Sequence, residues 1–186
     1  MYYFLIPLFF GFASNLASAF TTAYSGKCGN RAGTVITFLL RNIFGIPVWA
    51  AGFVLSVHES TELLFHLSTP GQVIGWFFIA AGCVIIIIAL VSIRAKAAAP
   101  AVGNNLVNTG IYSLVRHPIH SGTMLEFAGI FVLRPSAYVG IACITGFLWI
   151  YLQSLFEERD LLLRIPGYKD YMMHVPRFIP VLKKIL

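Results

Sequence analysis

The sequence predicts an all-α, polytopic membrane protein of about five transmembrane helices, because its apolar residues are abundant and form long blocks. Hydrophobic residues make up 58% of the 186-residue chain and charged residues only 11%. Soluble domains carry about 25% charged residues, and roughly 20 apolar residues span a bilayer. The length indicates a single membrane domain, residues 1–186.

Five apolar blocks follow one another along the chain, at residues 1–20, 33–57, 71–93, 119–133 and 136–156. The fourth block is short for a span. Only Arg134 and Pro135 separate the last two blocks, so we expect these two to form a tight helical hairpin.

The charged residues predict the orientation of the chain in the membrane. Lys and Arg follow the first, third and fifth blocks, whereas the connection between the second and third carries Glu59 and Glu62 without Lys or Arg. Cytoplasmic loops are enriched in Lys and Arg, which places the amino terminus outside and the carboxy-terminal tail in the cytoplasm. The net charge of +6 then reflects topology and attraction to membrane lipids. We expect no nucleic-acid binding, because the sequence shows no basic soluble face with interleaved aromatic residues.

Two polar stretches, residues 104–126 and 157–180, carry the residues capable of chemistry. The first leads into the fourth block and the second follows the fifth. A helical hairpin returns the chain to its starting side, so we expect both stretches to meet at one membrane face.

The segment VRHPIHSG predicts a helix start. Pro118 suits the first helical turn, and the residue before a proline avoids the helical conformation, so His117 lies just ahead of the helix. Free N–H groups at a helix start favour an anion, and Arg116 adds positive charge. This pattern indicates an anion or carboxylate pocket at the membrane surface. The alternative is that Arg116 reaches lipid headgroups and His117 caps the helix.

A metal site is not expected here. His117 and His120 are three residues apart, but Pro118 interrupts regular helix and no third nitrogen or thiolate is near in the sequence. Glu126 follows His120 by six residues, which is not a same-face helical spacing.

The second stretch begins with Glu157 and Glu158. Either carboxylate could simply be solvated, or one could face Arg116 and His117 and bind hydroxyl or ammonium groups of a ligand. Tyr168 and Tyr171 should share a helix face.

These residues resemble a family of enzymes. The motifs occur in the same succession as in the membrane-embedded methyltransferases typified by isoprenylcysteine carboxyl methyltransferase, and this chain resembles that group, which includes phospholipid methyltransferases. The residues that carry the resemblance are NNLVNTGIYSLVRHPIHSG, followed by EERDLLLRIPGYKDYMMHVPRFIP. The resemblance covers roughly residues 104–180. The first 95 residues are similar only as generic spans.

The apolar blocks place three N-terminal spans in residues 1–95. The resemblance implies an enzyme that uses S-adenosylmethionine, with a catalytic region in residues 96–186. That region would contain two spans, a cytoplasmic cofactor pocket and a C-terminal closing segment. By position, the cofactor contacts would come from Asn104, Asn105, Leu106, Val107, Tyr112, His117, Pro118, Ile119, His120 and Glu157.

Departures from the family pattern concern the acceptor. His120 replaces a tyrosine, and Gln153 stands where an arginine often meets the substrate's carboxylate. A neutral amide cannot form that charge-assisted clamp. Glu126 lies within a span, where a carboxylate usually faces a cavity; it would contact the acceptor or pair with Arg41. The expected orienting and catalytic residues are Arg116, His117, Glu126 and Gln153.

The predicted function is methyl transfer from S-adenosylmethionine to a lipophilic or small-molecule acceptor at the membrane. One alternative is an NADPH-dependent membrane reductase, because YKDYMMHVPRFIP and RHP are also similar to sterol reductases, although those chains are much longer. The other alternative is a non-catalytic membrane scaffold.

Overall fold

The computed structural model describes residues 2–59, 62–93 and 105–181. Within these ranges the chain is helical, and its only strand-like pairing is an isolated bridge between Leu63 and Ser136. The α-helices are α1 (Leu5–Ala17), α2 (Thr21–Cys28), α3 (Asn30–Asn42), α4 (Ile46–His58), α5 (Thr69–Ile93), α6 (Pro118–Leu133), α7 (Ala137–Arg164) and α8 (Tyr168–His174). The all-α prediction is confirmed.

Three helical stretches are long and apolar enough to cross a membrane: α3 together with α4, then α5, and α7. Helices α1 and α2 form a fourth if they are counted as one span, although the chain bends by 65° between them. Helix α6 is apolar but has only 16 residues. The structure therefore supports three to four spans with α6 as a further short helix.

The bend after α1, and the helix that follows it, were not predicted. Ser18 Oγ donates to the carbonyl of Asn15 at 2.6 Å, and the N–H groups of Ala19 and Phe20 donate three residues back along the chain. A hydroxyl that bonds to a backbone carbonyl competes with the helical hydrogen bonds, and bonds to the third residue back tighten the last turn, so the regular helix ends here. The chain therefore turns, and α2 packs along α3 while α1 packs along α4.

The second predicted block is interrupted between α3 and α4. A Cβ at Gly45 would lie 2.7 Å from the carbonyl oxygens of Leu40 and Arg41, so the break requires glycine at this position. It leaves Arg41 in the last turn of α3, at the wall of a cavity.

Glycines bring α5 and α6 into close antiparallel contact. Gly82 faces Gly122, and Gly75 faces Gly129: a Cβ at Gly82 would lie 2.5 Å from the Gly122 carbonyl oxygen, and a Cβ at Gly129 2.7 Å from that of Gly75. Small residues allow helix backbones in membranes to approach closely. This contact fixes α6 against α5.

Helices α6 and α7 form the predicted hairpin. Ser136 Oγ accepts a hydrogen bond from the Val139 N–H at 3.3 Å and caps α7, and Cys143 Sγ donates to the carbonyl of Phe127 on α6 at 3.2 Å. Phe127 stacks on Phe53 of α4 in the core, with ring centroids 4.3 Å apart. Helix α7 has 28 residues and α6 has 16, so the last turns of α7 extend beyond the start of α6.

Candidate functional site

A cavity of about 630 Å³ lies between α3, α4, α5, α6 and α7. Ligand sites of roughly 300–1,000 Å³ are usual for small molecules. The predicted site residues that line it are Asn105, Leu106, Val107, Tyr112, Arg116, His117, Pro118, Ile119, His120, Glu126, Gln153 and Glu157. Asn104, the remaining predicted residue, lies outside the described residues. The structure thus brings the two polar stretches together around one space.

Glu158 is the centre of a buried ion-pair cluster beside the cavity. Its Oε1 accepts hydrogen bonds from Arg116 Nε and Arg177 Nε, both at 3.0 Å, and lies 3.1 Å from His117 Nε2. Arg177 Nη2 donates to the other oxygen at 2.6 Å. The residue is only 3% exposed, so these partners compensate its charge. Glu158 is therefore the acidic residue that faces Arg116 and His117.

Glu157, the preceding residue, faces the cavity and α3. Arg41 Nη2 donates to Glu157 Oε1 at 2.6 Å, and Gln153 Nε2 donates to the same oxygen at 3.0 Å. His117 Nδ1 lies 3.7 Å from Glu157 Oε2. The imidazole of His117 is consequently held between two carboxylates.

The suggested pairing of Glu126 with Arg41 is wrong, because Arg41 binds Glu157. Glu126 instead accepts a hydrogen bond from Cys83 Sγ of α5 at 3.2 Å and lines the cavity. Among the described residues, no cationic side chain lies within ion-pair distance of Glu126.

Residues 175–181, here called the closing segment, lie along the start of α6. The N–H of Arg116 donates to the Pro176 carbonyl at 2.9 Å, and the N–H of His117 donates to the Arg177 carbonyl at 3.0 Å. His117 is the N-cap residue and the next residue begins the helix, as predicted. The anion or carboxylate pocket stays a prediction: Arg116 pairs with Glu158, so the N–H groups of the first helical turn are the groups that would bind an anion.

Three tyrosines, Tyr112, Tyr168 and Tyr171, line the cavity. Burial raises the pKa of Tyr112 and of Tyr168 far above the ordinary value, and that of Tyr171 to about 12. All three phenols are therefore neutral at physiological pH. The hydroxyl of Tyr171 donates to the backbone carbonyl of Tyr112 at 2.6 Å. Tyr168 and Tyr171 share a face, as predicted, with ring centroids 5.6 Å apart.

Four buried polar atoms in the cavity wall have no hydrogen-bond partner within the described part of the chain. They are Asn15 Oδ1, Trp49 Nε1, His120 Nδ1 and Gln153 Oε1. Buried polar atoms in native proteins are almost always satisfied, so a polar ligand in this space would complete their hydrogen bonding. The sequence analysis did not identify Asn15 and Trp49 as site residues, because the apolar blocks that contain them indicate only membrane-spanning helices.

His117, His120 and Glu157 bring one possible metal-binding atom each within 4.8 Å of one another. The third candidate ligand is a carboxylate from α7, which is distant in the sequence and was not considered with these histidines. Arg41 nonetheless places a positive charge 2.6 Å from the Glu157 carboxylate, which opposes a second cation there. The absence of a metal stays a prediction.

A comparison of the sequence with models of known protein families identifies the family of this chain. The family model described as phospholipid methyltransferase matches residues 40–168. The chain belongs to the phospholipid methyltransferase family. No curated protein and no solved structure gives a match.

The family match extends from the end of α3 to the start of α8, so it reaches further towards the amino terminus than the sequence resemblance did. It includes Arg41, Glu126, Gln153 and Glu157. Membership of the phospholipid methyltransferase family implies methyl transfer at a membrane to a lipid-like acceptor. It favours this chemistry over nicotinamide-dependent reduction.

Proposed function

We propose that this protein transfers a methyl group from S-adenosylmethionine to a lipid-like acceptor inside the cavity. The observation that carries the proposal is the convergence of residues 105–126 and 153–157 on one cavity. Family membership supplies the reaction class. The charge pattern of the loops supports a cytoplasmic opening of the site in a multi-pass membrane protein.

The wall of the cavity fits the proposed cofactor. Glu157 offers a carboxylate for hydroxyl or ammonium groups, and His120 Nδ1 and Gln153 Oε1 offer unsatisfied polar atoms. Leu106 and Val107 supply apolar surface for the adenine. Bound S-adenosylmethionine would supply an electrophilic methyl group on a positively charged sulfur. The protein's own contribution is to hold both partners in line and to exclude water.

The acceptor would reach the cavity from the lipid. Ile46 and Trp49 of α4 line one wall and Ile86 and Leu90 of α5 line another. Helix α5 packs along α6, whereas α4 packs against α1 and α7, so an apolar chain can enter between α4 and α5. The neutral amide of Gln153 argues against a carboxylate acceptor.

The proposal predicts that the purified protein binds S-adenosylmethionine and its demethylated product, as measured by titration calorimetry. Glu157→Gln should weaken binding at least about tenfold, because charge-assisted hydrogen bonds contribute about 1.5–3 kcal/mol. Glu62→Gln, which changes an exposed carboxylate outside the cavity, is the matched control and should bind normally.

Two results would count against the proposal. If the wild-type protein binds neither ligand, the scaffold alternative is preferred. If Glu157→Gln binds as tightly as Glu62→Gln, the cofactor does not occupy this part of the cavity.

A further inference from the structure

Trp49 and Trp149 both stack on Phe12 in the wall of the cavity, but their ring N–H groups differ in what they contact. The ring centroids lie 5.7 and 5.6 Å from that of Phe12, at interplanar angles of 16° and 21°. Trp149 Nε1 donates to the Phe12 carbonyl at 2.5 Å, whereas Trp49 Nε1 is buried without an acceptor in the described part of the chain. Buried tryptophan N–H groups usually have a partner, so the donor of Trp49 is left for a ligand.

The contact between α1 and α4 brings the side chain of Asn15 towards that of Trp49. A Cβ at Gly11 would meet the backbone of Trp49, and a Cβ at Gly45 would lie 3.1 Å from Asn15 Cβ, so the two helices run antiparallel. Helical side chains lean towards the amino terminus of their own helix, and in an antiparallel pair this turns Asn15 and Trp49 towards each other. Asn15 Oδ1 is likewise buried and has no donor among the described residues.

The pair formed by Asn15 and Trp49 lies beyond the residues assigned to the cofactor. Arg41, which binds Glu157, also donates from Nε to Ser18 Oγ at 3.4 Å. Asn15 precedes Ser18 by three residues, which is about 4.5 Å along a helix. The pair therefore lies about one helical turn further into the bundle than the Arg41–Glu157 ion pair, on the side from which an apolar acceptor would come.

The chemistry of the two unsatisfied atoms restricts the group that can satisfy both. Trp49 Nε1 only donates hydrogen bonds, and Asn15 Oδ1 only accepts them. An ammonium ion has no lone pair for Trp49, and an ionised phosphate or carboxylate has no hydrogen for Asn15. A hydroxyl group donates one hydrogen bond and accepts another through a single oxygen. A neutral hydroxyl is therefore the group that matches this pair.

We propose that Asn15 and Trp49 form a hydroxyl-binding subsite, and that the methyl acceptor is a lipid-like molecule that carries a neutral hydroxyl group there. The inference deepens the proposed function and rests on it. Asn15 accepts the hydroxyl hydrogen and Trp49 donates to the hydroxyl oxygen, so the pair positions the acceptor and takes no part in the transfer itself. An acceptor without this hydroxyl leaves both protein atoms buried and unpaired, and sites built for a hydroxyl discriminate strongly against such analogues.

The first test measures the binding of tetradecanol, tetradecyl methyl ether and tetradecyl phosphate to the full-length protein in detergent micelles, by displacement of tritiated tetradecanol. We expect the alcohol to bind at least about fivefold more tightly than the ether, which has no hydrogen for Asn15. Asn15→Leu and Trp49→Phe should each remove most of this preference. Equal affinity of the wild-type protein for alcohol and ether would overturn the proposal. So would a phosphate that binds more tightly than the alcohol and is weakened by the same two substitutions.

Trp149→Phe is the matched control, because Trp149 stacks on the same ring but uses its N–H within the chain. This variant should unfold more easily and keep the preference for the alcohol. Asn15→Leu should be at least as stable as the wild type, because Asn15 Oδ1 has no hydrogen bond within the described residues to lose. If Trp149→Phe abolishes the preference as fully as Trp49→Phe, or if Asn15→Leu loses both stability and preference, the pair has a structural role and the proposal is overturned.

Calorimetry with the demethylated cofactor separates this inference from the proposed function. The demethylated cofactor should bind the wild type and Asn15→Leu with equal affinity, and saturating tetradecanol should not displace it. Displacement would assign the subsite to a ribose hydroxyl of the cofactor and would overturn the proposal. Failure of the wild-type protein to bind the demethylated cofactor at all would instead refute the proposed function, whereas the preference for the alcohol is measured without cofactor.

Discussion

Replacing Glu158 by alanine is expected to lower the free energy of unfolding by about 3–5 kcal/mol, because it leaves buried cations without their partner. Arg116 and Arg177 both donate to this carboxylate, and His117 Nε2 lies 3.1 Å from it. Unfolding in mixed micelles with increasing dodecyl sulfate fraction measures the loss. Cofactor affinity should fall as well, because the closing segment and the start of α6 lose their common anchor.

The matched control for this prediction is Asp170→Asn, which changes an exposed acidic side chain on α8. We expect a change within about 0.5 kcal/mol there, as is usual for surface positions. If Glu158→Ala unfolds at the same dodecyl sulfate fraction as Asp170→Asn, the ion-pair cluster does not stabilise the protein.

The second large effect is expected from Gly82→Ala. The added Cβ would lie 2.5 Å from the Gly122 carbonyl oxygen, and a backbone atom can yield only if the helices separate. Overpacking of this kind typically costs about 1–3 kcal/mol. The same micelle unfolding assay measures it, and methylation should decline because Glu126 is displaced.

Gly26→Ala provides the opposite expectation. Gly26 lies within α2 and a Cβ there would meet nothing within 4 Å, so alanine should raise the free energy of unfolding by about 0.5–1 kcal/mol. A Gly82→Ala variant as stable as Gly26→Ala would mean that α5 and α6 are not in close contact.

Much of the fold follows from the pattern of the sequence. Apolar blocks of span length predict helices, and the short Arg134–Pro135 connection predicts the hairpin that joins the two polar stretches. The N-cap position of His117 follows from the proline after it. The bend at residues 18–20 was not predictable in this way, because serine hydroxyls bonded to their own backbone leave no periodic signal.

The partners of the charged residues were harder to predict than the positions of the helices. Arg41 and Glu157 are 116 residues apart. From the sequence, Glu126 was an equally acceptable partner for Arg41. Which of two adjacent carboxylates turns towards the cavity depends on the helix rotation of α7, and sequence spacing does not specify that rotation. Packing between α3, α6 and α7 decides the pairing.

The backbone bonds between the closing segment and the start of α6 affect how the protein matures during synthesis. The carbonyl groups of Pro176 and Arg177 accept hydrogen bonds from the N–H groups of Arg116 and His117, and both residues follow α8 in the chain. A nascent chain that has already inserted its membrane helices therefore still lacks these two bonds at the start of α6. Chains that terminate before residue 176 would therefore occupy the bilayer without these two bonds, and we expect Arg116 and His117 to be less firmly held in them.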